Sequence, residues 1–270
     1  MLSRENRGSL LAVAWLILLV TAALTAPFLP LTSPLSIDLD ARFAAPDLQH
    51  LLGTDELGRD VLARSIHAAA ASLSITAGAT FLDIVFATGA GLIAAYRRGW
   101  IDRLLSLAID FFWTVPLVVL VVLITSVLGV DTLTLIVTIA GINWISAARI
   151  LRTEIYRLRQ EPFVRAARAA GFPLRSILMQ TILPNIRPLL VALSAYTAIE
   201  VLTIESGLAF LGLSLPAPSP TWGGMLADGS AYIRSAWWLV GASSLAIIIT
   251  LASFLTVARR YESASRPHAN

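Results

Sequence analysis

Four carboxylates, Asp83, Asp110, Glu200 and Glu205, stand inside otherwise apolar runs of the chain. An ionised carboxylate is expensive in hydrocarbon, so each must face protein or water. There it serves either as a hydrogen-bond acceptor between helices or as the lining of a pathway. A second polar concentration is EPFVRAARAAGFPLRSILMQTILPN, from Glu161 to Asn185. It carries three arginines, three prolines and one glycine between two hydrophobic runs. Covalent and metal chemistry find little support. There is no cysteine, and His50, His67 and His268 lie far apart, none with a partner at metal-ligand spacing. All 20 basic residues are arginine, so the lysine of a G-x-x-x-x-G-K-[ST] phosphate loop is missing. The chain is expected to hold no cofactor or metal and not to hydrolyse ATP by itself.

The elements that position these residues follow from composition. Hydrophobic residues make up 57% of the 270 and charged residues 14%, a membrane-type balance. A spanning helix needs about 20 mostly apolar residues. Six segments meet or approach that length: 10–29, 72–95, 103–128, 132–150, 189–213 and 237–258. The first is too long for the apolar core of a signal peptide. Pro116 removes a backbone donor inside the third and is expected to kink it. The fold class read from the sequence is therefore an all-α membrane protein with six transmembrane helices. The bilayer is its expected surrounding, and nucleic acid is not an expected partner.

Charge placement orients the bundle. With the N-terminus inside and six crossings, the inner segments hold Arg4 and Arg7, then Arg97, Arg98 and Arg103, then eight arginines from Arg149 to Arg187, then Arg259, Arg260 and Arg266. Only Arg42, Arg59, Arg64 and Arg234 fall outside, so both termini are expected in the cytoplasm. The chain then divides into residues 1–71 (first span and outer loop), a core over 72–258 with a cytoplasmic loop at 151–188, and a cytoplasmic tail at 259–270. The outer loop ends in a stretch where Leu62, Ile66, Ala69 and Leu73 recur at helical spacing, an amphipathic lead-in to the second span.

The cytoplasmic loop reads as two short helices with a fixed corner. Pro162 suits a first helical position, Gly171 a left-handed cap, and Pro173 the start of the next helix. Pro184 and Pro188 are expected to break the chain before the fifth span. Phe163, Ala166, Ala167 and Ala170 share one small apolar face, and Arg165 and Arg168 lie on another. That arrangement fits a rigid knob for a protein socket. The arginines could equally enforce topology or bind anionic headgroups.

RAARAAG followed by FPLRSILMQTILP resembles the EAA loop of permease subunits in bacterial binding-protein-dependent ABC importers. LGTDELGRDVLARSIHAAAASLSI resembles the outer-loop signature of the dipeptide, oligopeptide and nickel permeases, through Gly53, Thr54, Asp55, Gly58, Arg59 and Asp60. ESGLAFLGLSLPAPSPTWGGMLADG and IDRLLSLAIDFFWTVP are similar to further segments of that group. The resemblance implies a type I ABC importer permease fold in the bacterial inner membrane. It implies a second homologous permease subunit, two cytoplasmic ATPase subunits that bind ATP and Mg, and an extracytoplasmic substrate-binding protein. The loop would be the coupling helix, with Phe163, Val164, Arg165, Ala166, Ala167, Arg168, Gly171, Leu183 and Pro184 meeting an ATPase groove. Transport would proceed by alternating access, with peptides or a nickel-type chelate as cargo. The short N-terminal tail leans toward nickel-type members. One departure is that Arg165 stands where the motif has glutamate, so the role of that acid does not carry over. The competing reading is a proton-coupled secondary transporter working through the four intramembrane carboxylates.

Overall fold

The computed structural model describes residues 4–29, 32–96, 100–114, 116–213, 215–216 and 218–265. Expectations resting on Arg97, Arg98, Arg266 and His268 lie outside the described residues, as do the ends of the terminal segments. Among the described residues, every regular element of more than one turn is a helix; the α-helices are α1 Arg4–Thr25, α2 Val61–Tyr96, α3 Trp100–Thr114, α4 Leu117–Leu128, α5 Thr132–Leu158, α6 Pro162–Ala169, α9 Arg187–Phe210, α10 Trp222–Ser230 and α11 Trp237–Ser265. Between α6 and α9 lie single turns α7 Leu174–Ser176 and α8 Leu183–Asn185, joined by a π-helical stretch, Ile177–Ile182. Helices are the expected outcome for chains this apolar, because hydrocarbon offers the backbone no partner but itself.

Among the described residues, five helices are long and apolar enough to cross a membrane: Gly8–Phe28, Val61–Ala94, Thr132–Leu158, Arg187–Phe210 and Trp237–Glu262. The expected third span is two helices rather than one kinked helix. α3 has 15 residues and α4 has 12, roughly 22 and 18 Å of rise, each short of the ~30 Å hydrocarbon layer. Pro116 occupies the position before α4 with ψ 121°, so its missing N–H falls at a helix boundary and costs no internal bond.

The lead-in and the second span are one element, not two. α2 runs 36 residues without a break, about 54 Å. Its buried stripe is Val61, Arg64, Ala68, Ser72, Ile75, Ala79 and Asp83, spaced three and four residues apart as one helix face requires. Of the expected face, only Ala69 is fully buried; Leu62, Ile66 and Leu73 are half-buried. Small side chains win the centre because they let neighbouring backbones approach. At Gly91 a Cβ would sit 3.2 Å from the Leu151 Cβ and 3.3 Å from the Arg152 backbone nitrogen, so α2 and α5 come close there only because the side chain is absent.

α5 starts on Asp131, whose Oδ1 accepts from the Thr134 N–H at 2.7 Å. That bond holds the Asp131 carboxyl below its usual range, as an N-cap should. The helix continues eight residues beyond the expected end at 150, burying Leu151, Ile155 and Leu158. α9 packs along α11, and α1 lies on α11 through the Trp15 indole N–H to Thr250 Oγ1 (3.3 Å) and the Arg260 guanidinium to Ser9 Oγ (2.7 Å). The core has three parts. One lies at the arginine-rich loop around Leu151, Ile155 and Ile182, one in the middle around Ile75, Ile139 and Val201, and one at the far end around Val61, Trp222 and Trp238.

Candidate functional site

α6 is held by few residues and held firmly. Glu161 is its extended N-cap and Pro162 its first residue, where a missing N–H is harmless. Val164 is fully buried against Ile177, Ile182 and the projecting end of α5, and Ala167 and Leu183 pack half-buried on the same cluster. The end of α6 is a Schellman cap: the Phe172 N–H donates to Ala167 O at 3.2 Å and the Gly171 N–H to Arg168 O at 3.1 Å. Gly171 takes φ +79° there, the left-handed conformation that favours glycine. Arg157 on α5 donates to Glu161 Oε1 at 2.8 Å and to both Glu154 oxygens at 2.7 and 3.0 Å, so the end of α5 is tied to the start of α6.

The outward surface of this loop is apolar with cationic edges. Phe163 is 44% exposed, and Arg165, Ala166, Arg168, Ala170, Phe172 and Leu174 are exposed beside it. The expected four-residue face is therefore divided, with Ala167 turned toward the core. Pro184 does not break the chain. It sits within the helical turn of α8, and the break falls at Ile186, with φ −91° and ψ −1°. The π-helical widening before it changes which carbonyl each N–H would meet, and a proline has no N–H to place.

The GTDELGRD segment folds into a tight knot, and its side chains build the knot themselves. Asp55 Oδ1 accepts from the Leu57 and Arg59 N–H groups, both at 2.9 Å, and its Oδ2 accepts from Arg59 Nε at 2.7 Å. Arg64, only 6% exposed, reaches the same oxygen at 3.4 Å and Asp228 Oδ2 at 3.8 Å. Asp60 Oδ1 accepts from the Ala63 N–H at 2.8 Å at the start of α2, and its Oδ2 meets His50 Nδ1 at 2.9 Å. The Thr54 hydroxyl accepts from the Ala44 N–H at 2.8 Å and donates to Ala41 O. The Thr54 carbonyl accepts from the Trp238 indole N–H at 3.0 Å. At Gly58, φ +72°, a Cβ would lie 1.6 Å from Asp38 O; at Gly53 it would lie 2.7 Å from Ala44 O and Trp238 Nε1. Nearby, the His50 N–H holds the Asp47 carboxyl below its usual range. A cavity of about 380 Å³ opens beside the knot, lined by Arg59, Arg64, Thr221, Asp228 and the proline-rich stretch at Pro216 and Pro220.

The four acids expected inside spans separate into three situations. Asp83 on α2 and Glu200 on α9 are joined by one amide: Asn143 Nδ2, on α5, donates to Asp83 Oδ2 at 2.9 Å and to Glu200 Oε2 at 3.3 Å. Asp83 is fully buried, Asn143 half-buried and Glu200 exposed. Glu205 is buried at the junction of α2, α9 and α10. Its Oε2 accepts from Ser72 and Ser206, each at 3.4 Å, and Ser72 Oγ accepts from the Trp222 N–H at 3.2 Å. That puts a carboxylate at the start of α10, where the helix dipole favours it. Asp110 lies exposed on α3 and bonds to no other described residue.

Residues 87–265 match the family described as binding-protein-dependent transport system inner membrane component. The chain belongs to this family. The permease is also similar to a dipeptide transport system permease protein of Alkalihalophilus pseudofirmus, 33% identical over 255 residues that cover 93% of this chain and 84% of the relative. A protein of Brucella suis whose name describes a peptide permease is 31% identical over the same shares. One of Brucella abortus named for a peptide transport system permease is 33% identical over 247 residues, 91% of this chain and 83% of the relative. With five candidate spans, the permease is a multi-pass membrane protein. Its arginine-rich loop, Asn143 and Glu200 fall within the family match, whereas the knot and Asp83 precede it.

Sequence reasoning singled out Asp83 and Glu200 but not Asn143, the residue that joins them. Counting only charged residues inside spans hid it. A lone asparagine in AGINWIS is itself a signal, because a side-chain amide in hydrocarbon must find a partner. Trp238, which fastens the knot, gave no local sign of doing so, since Thr54 is remote from it in sequence; the same holds for the reach of Arg64 to Asp228.

Proposed function

We propose that this permease forms half of the translocation pathway of an ATP-driven, binding-protein-dependent peptide importer, working by alternating access. The observation that carries the reading is the exposed apolar knob of α6, fixed on buried Val164 at the projecting end of α5. Exposed apolar surface rimmed by charge marks a protein-docking site, and this chain has no phosphate-binding loop of its own. ATP and Mg belong to two ATPase subunits that receive α6. A second, homologous permease completes the pathway, and an extracytoplasmic binding protein delivers cargo. The names of the similar proteins favour peptides over a nickel chelate as that cargo.

Six crossings follow if α3 and α4 together supply the remaining passage, with both termini in the cytoplasm. Motion then has a short route. Closure of the ATPase pair displaces α6. The Val164 cluster and the Arg157–Glu161 pair pass that displacement to α5, and α5 lies along α2. The Asn143 bridge stands farther along the same two helices.

The test is uptake of a labelled dipeptide by membranes holding the assembled importer and its binding protein. Ala166→Trp and Phe163→Ala should each lower ATP-dependent uptake by about tenfold, the scale of one interface hot spot, with unchanged membrane insertion. Normal uptake in both variants, or uptake that follows a proton gradient and ignores ATP, would overturn the reading.

A further inference from the structure

We infer that Asp83, Asn143 and Glu200 form a station for a cationic donor group on the pathway, and that the group is the ammonium end of the cargo. The inference rests on the reading of this chain as half of a peptide pathway. The three residues come from three helices, α2, α5 and α9, and descend from exposed Glu200 through half-buried Asn143 to fully buried Asp83. One amide nitrogen serves both carboxylates. Asp83 Oδ1 has no hydrogen-bond partner although it is wholly buried. Its geminal oxygen is on Asn143, so the unpartnered oxygen is at the same place. Among the described residues no arginine bonds to Asp83 or Glu200, and the chain has no lysine.

Such a group holds hydrogen-bond acceptors in excess and no basic side chain to answer them. A buried oxygen in that condition is costly until a donor arrives. An ammonium brings three N–H donors and one positive charge in a compact head. The open side is also free of bulk: Glu200, Thr203 and Gly207 share an exposed stripe of α9, and a Cβ added at Gly207 or at Gly141 on α5 would meet nothing within 4 Å. A peptide's terminal amine can approach along this face and replace water at Glu200 first.

The chain's lack of cysteine gives a clean probe. Thr203→Cys places a thiol one turn from Glu200 on the exposed stripe. In the assembled importer, its modification by a trimethylammonium-ethyl methanethiosulfonate is compared with that by the sulfonato-ethyl reagent, each relative to a small free thiol. The cationic reagent should react about tenfold faster, the lower end of electrostatic focusing in a charged cleft. Glu200→Gln should abolish the preference, and Glu200→Asp should keep it. A dipeptide with a free amino terminus should slow the cationic reaction, and the same peptide N-acetylated, at equal ionic strength, should not. Equal rates for both reagents, no reaction with either, or equal protection by both peptides would overturn the station. Dipeptide uptake measured on the same membranes separates the two claims. ATP-driven uptake without charge preference refutes the station alone, and charge preference without ATP-driven uptake refutes the importer reading alone.

Discussion

At the scale of single residues, Gly58 and Gly129 use glycine for different reasons. Gly58 and Gly129 both have positive φ, +72° and +85°, but only Gly58 has backbone where a Cβ would go, 1.6 Å from Asp38 O. Gly129, at φ 85° and ψ 169°, is in a backbone region that side chains hardly enter, so Gly129→Ala should cost that backbone strain alone, about 1–3 kcal/mol. Gly58→Ala adds a clash with a main-chain carbonyl that is held in place by its neighbours, because the Asp38 N–H donates to Leu57 O at 3.1 Å. Thermal unfolding in detergent should therefore show a much lower midpoint for Gly58→Ala than for Gly129→Ala; equal midpoints would mean the knot rearranges freely. The residues of GTDELGRD were legible in the sequence as a group with a family resemblance. What they do was not, since a motif does not reveal that Asp55 is consumed by the N–H groups of Leu57 and Arg59 and by the Arg59 guanidinium.

At the scale of elements, long apolar runs and their punctuation were readable, and the joins between them were not. Pro162 and Gly171 bracket α6 as their backbone preferences dictate. α2 escaped because nothing between residues 61 and 96 interrupts a helix. The amphipathic part and the apolar part differ in surroundings, not in backbone. α3 and α4 escaped in the opposite sense, because a proline inside an apolar run permits either a kink or a break and only packing decides. The cap of α6 makes its own prediction. Gly171 has open space around it, so a side chain there is penalised by conformation alone. Gly171→Asn should retain most ATP-coupled uptake, since asparagine tolerates the left-handed region, and Gly171→Val should lose it. Equal uptake in the two variants would show that the cap does not hold α6 in its working position.

At the scale of the whole molecule, the arginine count predicts which end of the bundle meets the cytoplasm. Gln160 lies in the arginine-rich loop and Ser33 in the loop that carries the knot, and both are exposed. In a chain otherwise free of cysteine, Gln160→Cys should react with a membrane-impermeant reagent only in inside-out vesicles, and Ser33→Cys only in right-side-out ones. Reaction of both from one side would overturn the number of crossings between them, and reaction of Gln160→Cys only in right-side-out vesicles would separate α6 from any cytoplasmic ATPase.

The bond from the Trp238 indole to the Thr54 carbonyl spans 184 residues, and that distance is also a delay. During synthesis at ~5–20 residues per second, roughly ten to forty seconds pass between the emergence of acceptor and donor. The knot cannot close on its final partner until α11 exists, and α1 likewise waits for Thr250 and Arg260. α1, which also rests on α2, is thus made long before the helix it leans on most. Until α11 is made, an unlocked knot and an α1 without that partner are what a membrane chaperone or protease would encounter.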